Sequence, residues 1–260
     1  MAAQAPDFVV KLAHSQEEIL GAQHLRYQVF VQELGGDGAL VDHEAKLERD
    51  RFDPFNDHLI LIDKSRVQDA LNGVVGVYRL LTDTRAVDAG SFYSENEYDL
   101  SVIKSSGRKL LELGRSCLHP DYRGGTAMYH LWQGLAEYVS EHEIEILFGV
   151  ASFHGTDLGS LAAPLTLLHN RHLAPEDLRV TAKPPHARSM NILPAADLDN
   201  RAAMLDVPAL IKAYLRLGGF VGDGAFVDYG FNTTDVCLVM DTDRMNARQK
   251  SIYSKTRETA

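Results

Sequence analysis

The sequence predicts an α/β fold in which a mixed sheet carries helices on both faces. Strand-like apolar runs alternate with amphipathic helical stretches along most of the chain. Early strands are joined by a hairpin-type turn, whereas a strand–helix–strand unit spans 110–150, so antiparallel and parallel neighbours are both expected. Of the 260 residues, 45% are hydrophobic and 24% are charged, which is ordinary globular composition and allows a sizeable core.

The first half of the chain supplies most of the predicted sheet. Ser15 followed by Glu18 forms a capping-box pattern and begins a helix that we expect to end near Gly35 and Gly36. Asn72-Gly73 predicts a tight turn before the next strand. The segment at 37–57 is highly charged and has little periodicity, so we expect a loop with a helical turn. Strands are predicted at 8–12, 58–63, 74–81 and 110–118.

The second half is predicted to complete a single domain. Helices are expected at 126–142 and 205–217, and strands at 144–150, 220–228 and 236–241. The stretch at about 156–207 is rich in proline and weakly amphipathic, which indicates a lid-like insertion. We therefore predict one domain over 1–245 and a basic, frayed tail at 246–260.

Charge and composition exclude several classes of function. A net charge of −10 argues against broad nucleic-acid binding, which needs basic surface. Cys117 and Cys237 lie in apolar strand-like runs, which favours reduced, buried thiols, and their spacing suggests no metal site. No apolar run approaches the roughly 20 residues of a membrane span, and the first residues lack the pattern of a signal peptide. We expect a cytoplasmic protein, with peripheral contact at the inner membrane left open.

A glycine-rich turn follows the strand at 110–118 and opens the helix at 126–142. Its Gly124 and Gly125 allow backbone N–H groups to approach a ligand, and the helix N-terminus favours anions. Arg123 adds a positive charge. The turn is a candidate cradle for a pyrophosphate or a phosphopantetheine arm. The alternative is a plain turn in which the glycines only permit a positive φ.

Ionisable residues also lie on predicted core strands and in the loop before one of them. Glu112 and Arg115 share a strand, and a β-bulge at Gly114 could direct both toward one cleft, although a structural ion pair is equally consistent. Asp50 and Asp53 could bind an ammonium group or accept a proton through water, or simply be a solvated loop. Arg26 and Arg79 lie in apolar surroundings, and such arginines usually pair with carboxylates of the protein or a substrate.

The order of these motifs resembles known acyltransferases. The segments at 26–30, 50–53, 79–84 and 112–115 are similar in order and spacing to acyl-homoserine-lactone synthases, which have a GNAT-like fold. A closer resemblance is to the ornithine-acyl carrier protein N-acyltransferases, a family often called hemolysin-like. It rests on blocks at 26–30, 52–53, 112–116, 119–125, 148–155, 213–219 and 229–235, and covers the chain from about 8 to about 241.

This resemblance implies a GNAT-like acyl-CoA N-acyltransferase fold and a specific reaction. The family moves a 3-hydroxyacyl group from acyl carrier protein to the α-amine of L-ornithine, giving lyso-ornithine lipid in the first step of ornithine lipid synthesis. It implies no tightly bound cofactor, because the phosphopantetheine thioester of the carrier protein is a co-substrate. The compressed glycine turn after Arg123 departs from the general GNAT pattern, which argues against ordinary acetyl-CoA binding.

The resemblance also implies roles for the site residues. We expect Glu112 as general base, Asp50 and Asp53 around the side-chain ammonium, and Arg26 or Arg79 at the carboxylate, although the Asp and Arg roles are interchangeable. The predicted residues are Glu112 and Asp53 for catalysis, Arg26, Phe30, Asp50, Arg79 and Arg115 for the acceptor, Leu118, Arg123, Gly124, Gly125 and Thr126 for the thioester arm, and none for a metal.

Partners and alternatives complete the prediction. Basic residues form two patches, at 104–109 and 179–188, unless these are ordinary surface charge. Acyl carrier protein is expected to dock on the basic residues of the insertion at about 156–207. The sequence leaves ornithine, lysine and glutamine open as acceptors, as well as the acyl-chain length. Two other functions remain open, a lactone-forming signal synthase that uses S-adenosylmethionine and a non-enzymatic membrane-active protein.

Overall fold

The computed structural model describes residues 5–66 and 69–245, and the tail predicted at 246–260 lies outside them. The chain divides into two compact units. Among the described residues, unit 1 comprises 5–66, 69–89 and 113–143, and unit 2 comprises 90–112 and 144–245.

Unit 1 contains a sheet with the strand order β1-β2-β3-β5. Its strands are β1 (Phe8–Leu12), β2 (Asp57–Asp63), β3 (Val74–Thr82) and the part of β5 (Leu110–Leu118) that begins at Leu113. The first three strands pair antiparallel, and β2 and β3 are joined through a turn in which Asn72 and Gly73 both have positive φ. Both the hairpin-type turn and the four predicted strands are confirmed.

Two helices cover opposite faces of this sheet. Helix α1 (Gln16–Arg26) begins at the predicted capping box and continues into a π-helical turn at Tyr27–Glu33. Its apolar residues pack with Ile60 of β2, whereas helix α4 (Ala127–Glu141) packs on Leu59. Neighbouring strand residues point to opposite faces, so the two helices lie on opposite sides. Gly134 permits a close approach, because a Cβ there would collide with Val10 Cγ1. A short helix α2 (Asp83–Ala89) follows β3.

Unit 2 contains a sheet with the strand order β5-β6-β11-β10-β8, and β9 also pairs with β11. The first three residues of β5 pair parallel with β6, and β6 pairs antiparallel with β11 over nine positions. The other strands are β4 (Tyr98–Asp99), β6 (Ile146–His154), β7 (Thr181–Ala182), β8 (Ala187–Arg188), β9 (Phe220–Val221), β10 (Ala225–Asp228) and β11 (Thr233–Asp241). The helices are α3 (Ser101–Lys104), α5 (Ala162–His172), α6 (Asn200–Asp206) and α7 (Ala209–Arg216).

The segment at 156–207, expected as a lid-like insertion, is packed within unit 2. Its helix α5 has a buried apolar side, and strand β8 pairs with β10. The buried Thr166 hydroxyl donates to the Met190 carbonyl and accepts the N–H groups of Ile192 and Leu193. These three hydrogen bonds tie the proline-rich loop to α5.

Two predicted elements are wrong in their extent. The helix predicted at 205–217 is two helices, because Pro208 lacks an N–H and ends the continuity between α6 and α7. The strand predicted at 220–228 is β9 and β10, separated by a turn in which Gly224 has a φ of 80°. None of the helices within 5–66 and 69–245 has the length and apolar character that crossing a membrane requires.

Candidate functional site

A cluster of buried ion pairs lies in unit 1, on the face of the sheet that α1 covers. Its guanidinium groups come from α1, β3 and β5, and its carboxylates come from the loop that precedes β2. We call this cluster the charge network, and its members are Arg26, Glu48, Asp50, Asp53, Arg79 and Arg115. Five of the six were predicted as site residues, and the structure brings these five together.

Arg26, the last residue of α1, lies at the buried end of the network. Its side chain has no exposed surface, and its Nη1 and Nη2 donate to the two carboxylate oxygens of Asp53 at 2.5 and 3.2 Å. Its Nε donates to Glu48 Oε2 at 2.5 Å. A buried charge is tolerated only when it is paired with good geometry, so these three side chains stabilise one another's ionised forms.

Asp50 and Arg115 form the more exposed end of the network. Asp50 accepts from Arg79 Nη1 at 2.7 Å and from Arg115 Nη2 at 3.4 Å, and Arg115 Nε donates to Glu48 at 3.0 Å. The side chains of Asp50 and Arg115 are 21% and 15% exposed, more than those of the other four members. This ion pair is therefore the part of the network that is most accessible to solvent.

The loop that carries the carboxylates is held by its own backbone. Asp50 Oδ1 accepts the N–H of Phe52 at 2.8 Å, and Asp53 Oδ2 accepts the N–H of Asp50 at 2.9 Å. Such side-chain-to-backbone bonds are the reason aspartate favours turns. The Phe52 ring is buried and fastens the loop to the core. The alternative of a solvated acidic loop is therefore wrong for Asp50 and Asp53.

The arginines keep the carboxylates of the network ionised. Burial alone raises the pKa of Asp53, but the charges of Arg26 and Arg79 outweigh it and hold that pKa well below its ordinary value. The pKa of Glu48 and the pKa of Asp50 are lowered for the same reason, against the same opposing effect of burial. Carboxylates in this state are strong binders of cations and weak acceptors of protons.

His58 lies beside the network at the start of β2. Its Nε2 is 3.3 Å from the carbonyl oxygen of Asp53 and 3.7 Å from the Oδ1 of the same residue. Burial lowers the pKa of His58, and the charges of Arg26 and Arg79 lower it further, against the opposing charge of Asp53. The imidazole is therefore neutral at neutral pH.

Phe30 and the backbone of β5 shape the exposed end. The Phe30 ring centre is 5.9 Å from the Arg115 guanidinium carbon, within the range of a cation–π contact. Arg115 has a φ of 50°, which is uncommon for a residue other than glycine and breaks the alternation of the strand. The sequence predicted a β-bulge at Gly114, and the structure has a positive φ at the next residue.

Glu112 belongs to unit 2 and is held by backbone groups. Its carboxylate is buried and accepts the N–H groups of Tyr93 and Ser94 at 2.8 and 2.6 Å. These bonds fix the start of the 3-10 turn at Tyr93–Asn96. They give Glu112 a structural role that its sequence context did not reveal.

The glycine-rich turn predicted to hold the thioester arm lies in unit 1, between the end of β5 and the start of α4. Gly124 has a φ of 78°, and a Cβ on it would have no atom within 4 Å. Thr126, the residue before α4, provides no side-chain cap to the helix. Arg123 donates to both carboxylate oxygens of Glu33 at 2.6 and 2.7 Å and, through Nε, to the carbonyl of Leu118 at 3.3 Å. The turn thus offers an open helix N-terminus beside an arginine that is already ion-paired.

The chain matches known proteins over nearly its whole length. Residues 25–133 match the family model described as an acetyltransferase (GNAT) domain. An L-ornithine N(alpha)-acyltransferase of Rhodobacter capsulatus is 56% identical over 255 residues, covering 98% of each chain. One from Brucella abortus is 39% identical, covering 94% of this chain and 88% of the relative. The chain belongs to the L-ornithine N(alpha)-acyltransferase family.

Solved structures agree on the fold of this acyltransferase. A CoA-dependent acyl-homoserine lactone synthase, BjaI, covers 96% of the chain and 89% of its own with a TM-score of 0.54 at 12% identity. The acyl-homoserine lactone synthase LasI covers 96% of both chains with a TM-score of 0.50 at 16% identity. At these identities the likeness concerns the fold alone. The predicted family, the GNAT-like α/β fold and the acyltransferase class are confirmed.

Sequence reasoning missed two residues at the network of this acyltransferase. Glu48 lies in a strongly charged stretch, and nothing in its neighbours distinguishes it from the exposed Glu44. Its burial depends on Arg26 and Arg115, which reach it from distant parts of the chain. His58 precedes an apolar run, and that position alone does not separate a core histidine from a functional one.

Proposed function

We propose that this acyltransferase moves a 3-hydroxyacyl group from the phosphopantetheine arm of acyl carrier protein to the α-amine of L-ornithine. The amine nitrogen bonds to the thioester carbon, the carbon–sulfur bond breaks, and the carrier thiol is released. The product is an N-acyl amino acid, lyso-ornithine lipid. The names of the relatives support the acceptor, and the carrier-protein donor extends the proposal beyond those names.

The exposed end of the charge network carries the proposal for the acceptor. Ornithine carries a side-chain ammonium as well as a carboxylate, and Asp50 and Arg115 present a carboxylate and a guanidinium side by side. Their 3.4 Å contact is long for such a pair, so an ammonium at Asp50 and a carboxylate at Arg115 can replace it with shorter bonds. Asp53 and Arg26, expected to contact the substrate, are engaged with each other and hold the loop that positions Asp50.

The chemistry favours the α-amine. An α-amino group has a pKa of about 8, whereas a lysine-like side-chain amine has a pKa of about 10.4, so the α-amine loses its proton more readily at neutral pH. The backbone around Leu118 and Arg123–Gly125 would stabilise the oxyanion of the thioester carbonyl. One such donor commonly contributes about 10²–10³ in rate.

Basic residues of unit 2 support docking of an acidic carrier protein. In the patch at 179–188, Arg179, Lys183 and Arg188 donate to backbone carbonyls at 2.8 Å, contacts that leave their charge unneutralised. In the patch at 104–109, Lys104 and Arg108 form ion pairs with Glu95 and Asp241. We therefore propose that the carrier docks on the patch at 179–188. Because the product is a single-chain amphiphile, we also propose a peripheral contact with the inner membrane.

The decisive experiment measures thiol release from 3-hydroxyacyl carrier protein with and without each acceptor. We expect release to require ornithine and to exceed release with lysine or glutamine, and mass spectrometry should identify the Nα-acyl product. Thiol release independent of an acceptor, or a lactone formed from S-adenosylmethionine, would contradict the proposal.

Two variants test the acceptor site directly. Asp50→Asn should raise KM for ornithine about tenfold or more, since a hydrogen bond to a charged group contributes about 1.5–3 kcal/mol. The exposed Glu44 of the same loop provides the matched control, and Glu44→Gln should leave KM unchanged. Equal KM values for both variants would remove Asp50 from the acceptor site.

Carrier docking has its own test. Lys183→Glu should raise KM for the carrier protein but not for ornithine, and the KM for the carrier should rise with salt as charges are screened. The ion-paired Lys104 is the comparison, because Glu95 already neutralises its charge. Lys104→Glu should therefore raise the KM for the carrier less than Lys183→Glu does. A KM for the carrier that is independent of salt would contradict electrostatic docking.

A further inference from the structure

His58 has a ring nitrogen that no contact accounts for. The side chain is 4% exposed, and its Nδ1 is buried without a hydrogen-bond partner among the described residues. Buried polar atoms are nearly always hydrogen-bonded, because leaving one without a partner costs about 1–3 kcal/mol. An exception beside a set of strong ion pairs therefore suggests a partner that arrives with the substrate.

The contacts of the other ring nitrogen determine the tautomer. Nε2 lies 3.3 Å from the carbonyl oxygen of Asp53, which can only accept a hydrogen bond. The proton of a neutral imidazole is therefore on Nε2, and Nδ1 carries a lone pair. This arrangement presents a proton acceptor whose orientation the protein backbone fixes.

The other candidates are poorly suited to accept a proton. Burial raises the pKa of Asp53, but Arg26 and Arg79 lower it further than burial raises it. In the same way, Arg79 and Arg115 lower the pKa of Asp50 against burial. The two oxygens of Glu112 already accept backbone N–H groups. His58 is neutral, since burial and the nearby Arg26 and Arg79 lower its pKa, and its Nδ1 has no hydrogen-bond partner among the described residues.

A chain of contacts connects His58 to the proposed acceptor site. Asp50 binds Arg79 at 2.7 Å, and Arg79 is the direct neighbour of His58 across β2 and β3. Asp53 Oδ1 lies 3.5 Å from Arg79 Nη1 and 3.7 Å from His58 Nε2. Arg79 and Asp53 therefore link Asp50 to His58.

We propose that His58 Nδ1 accepts the proton that the acceptor amine loses during acyl transfer, directly or through one water molecule. This inference rests on the proposed function. As the nitrogen–carbon bond forms, a proton passes from nitrogen to Nδ1, the carbon–sulfur bond breaks, and the proton passes on to the thiolate. The Asp53 carboxylate beside Nε2 stabilises the transient imidazolium, as carboxylates do for catalytic histidines.

The test compares His58→Gln and His58→Asn with the wild type. The Gln amide reaches the position of Nε2 and can still donate to the Asp53 carbonyl, but neither amide can take up a proton. Both variants should lose about 10²–10⁴ in kcat, the range for general base catalysis, with KM for the carrier protein unchanged. His14→Gln, at an exposed histidine of the same unit, should retain full activity.

The pH–rate profile separates catalysis from a structural role. The groups that face His58 are Asp53 from the loop, Arg26 from α1 and Arg79 from β3. The wild-type kcat should fall below an inflection at a pH lower than 6.5, and this inflection should be absent from His58→Gln. A wild-type profile without it, or a His58→Gln kcat within twofold of the wild type, would overturn the proposal. If the wild type forms no acyl-ornithine at all, the proposed function fails instead.

Discussion

Two arginines of this chain each gather several carboxylates, but in different surroundings. Arg26 in unit 1 pairs with Glu48 and Asp53, and none of the three side chains is more than 8% exposed. Arg108 in unit 2 pairs with Asp241, which is buried, and with Asp243, which is 77% exposed. The same residue types therefore form a buried cluster in the charge network and a partly exposed cluster around Arg108. Burial, more than the number of ion pairs, decides what their loss costs.

The largest expected effect on stability is at the charge network. Asp53→Asn leaves Arg26 and Arg79 short of a negative charge, and removing one partner of a buried pair costs about 3–5 kcal/mol. The free energy of unfolding from urea titration should fall by that amount, and acyl transfer should be lost. Asp243→Asn, its counterpart in the cluster around Arg108, should change the free energy of unfolding by about 1 kcal/mol or less. Similar losses in both variants would remove the distinction.

Glu112 is an intermediate case, because backbone N–H groups, and not arginines, donate to its carboxylate. Glu112→Gln keeps one acceptor oxygen but places an amide donor against the N–H of Tyr93 or Ser94. We expect a loss of about 1–3 kcal/mol in the free energy of unfolding. A sharp loss of turnover with unchanged stability would instead support the role of Glu112 as general base that the sequence predicted.

The smallest expected effect is on how the free energy of unfolding falls at acidic pH because of the charge network and His58. The folded-state pKa of His58 lies below 6.5, so the unfolded chain binds this proton first and stability falls as the pH drops through 6.5. The folded pKa of Asp53 lies below 3.8, so its contribution persists above that pH and is lost below it.

Unfolding free energies measured between pH 8 and pH 3 should therefore decline in two stages. His58→Gln should flatten the upper stage without abolishing it, because the pKa values of His119 and His172 are also lowered by burial. The lower stage should remain. An upper stage identical to that of the wild type would mean that His58 is not held neutral by the fold.

The sequence predicted most of the elements and part of the network, for reasons that differ between regions. The strands at 58–63 and 110–118 have strong apolar patterns, and local pattern is sufficient for such elements. Arg26, Asp50, Asp53, Arg79 and Arg115 were candidates because they are ionisable residues in or before apolar elements, and the order of their motifs resembles a family. Glu48 and the backbone contacts of Glu112 were missed because both depend on tertiary contacts with distant residues. The division into two units likewise has no local signal.

The π-helical turn at Tyr27–Glu33 limits how the length of this chain can vary. A π-helical turn contains more residues than an α-helical turn, so this stretch is in effect an insertion absorbed within a helix. Deleting one residue would allow a regular α-helix but would rotate the residues on its N-terminal side by about 100° relative to those on its C-terminal side. Arg26 would then leave Asp53 while Phe30 kept its position. Relatives should therefore tolerate substitutions in this turn more readily than a change in its length.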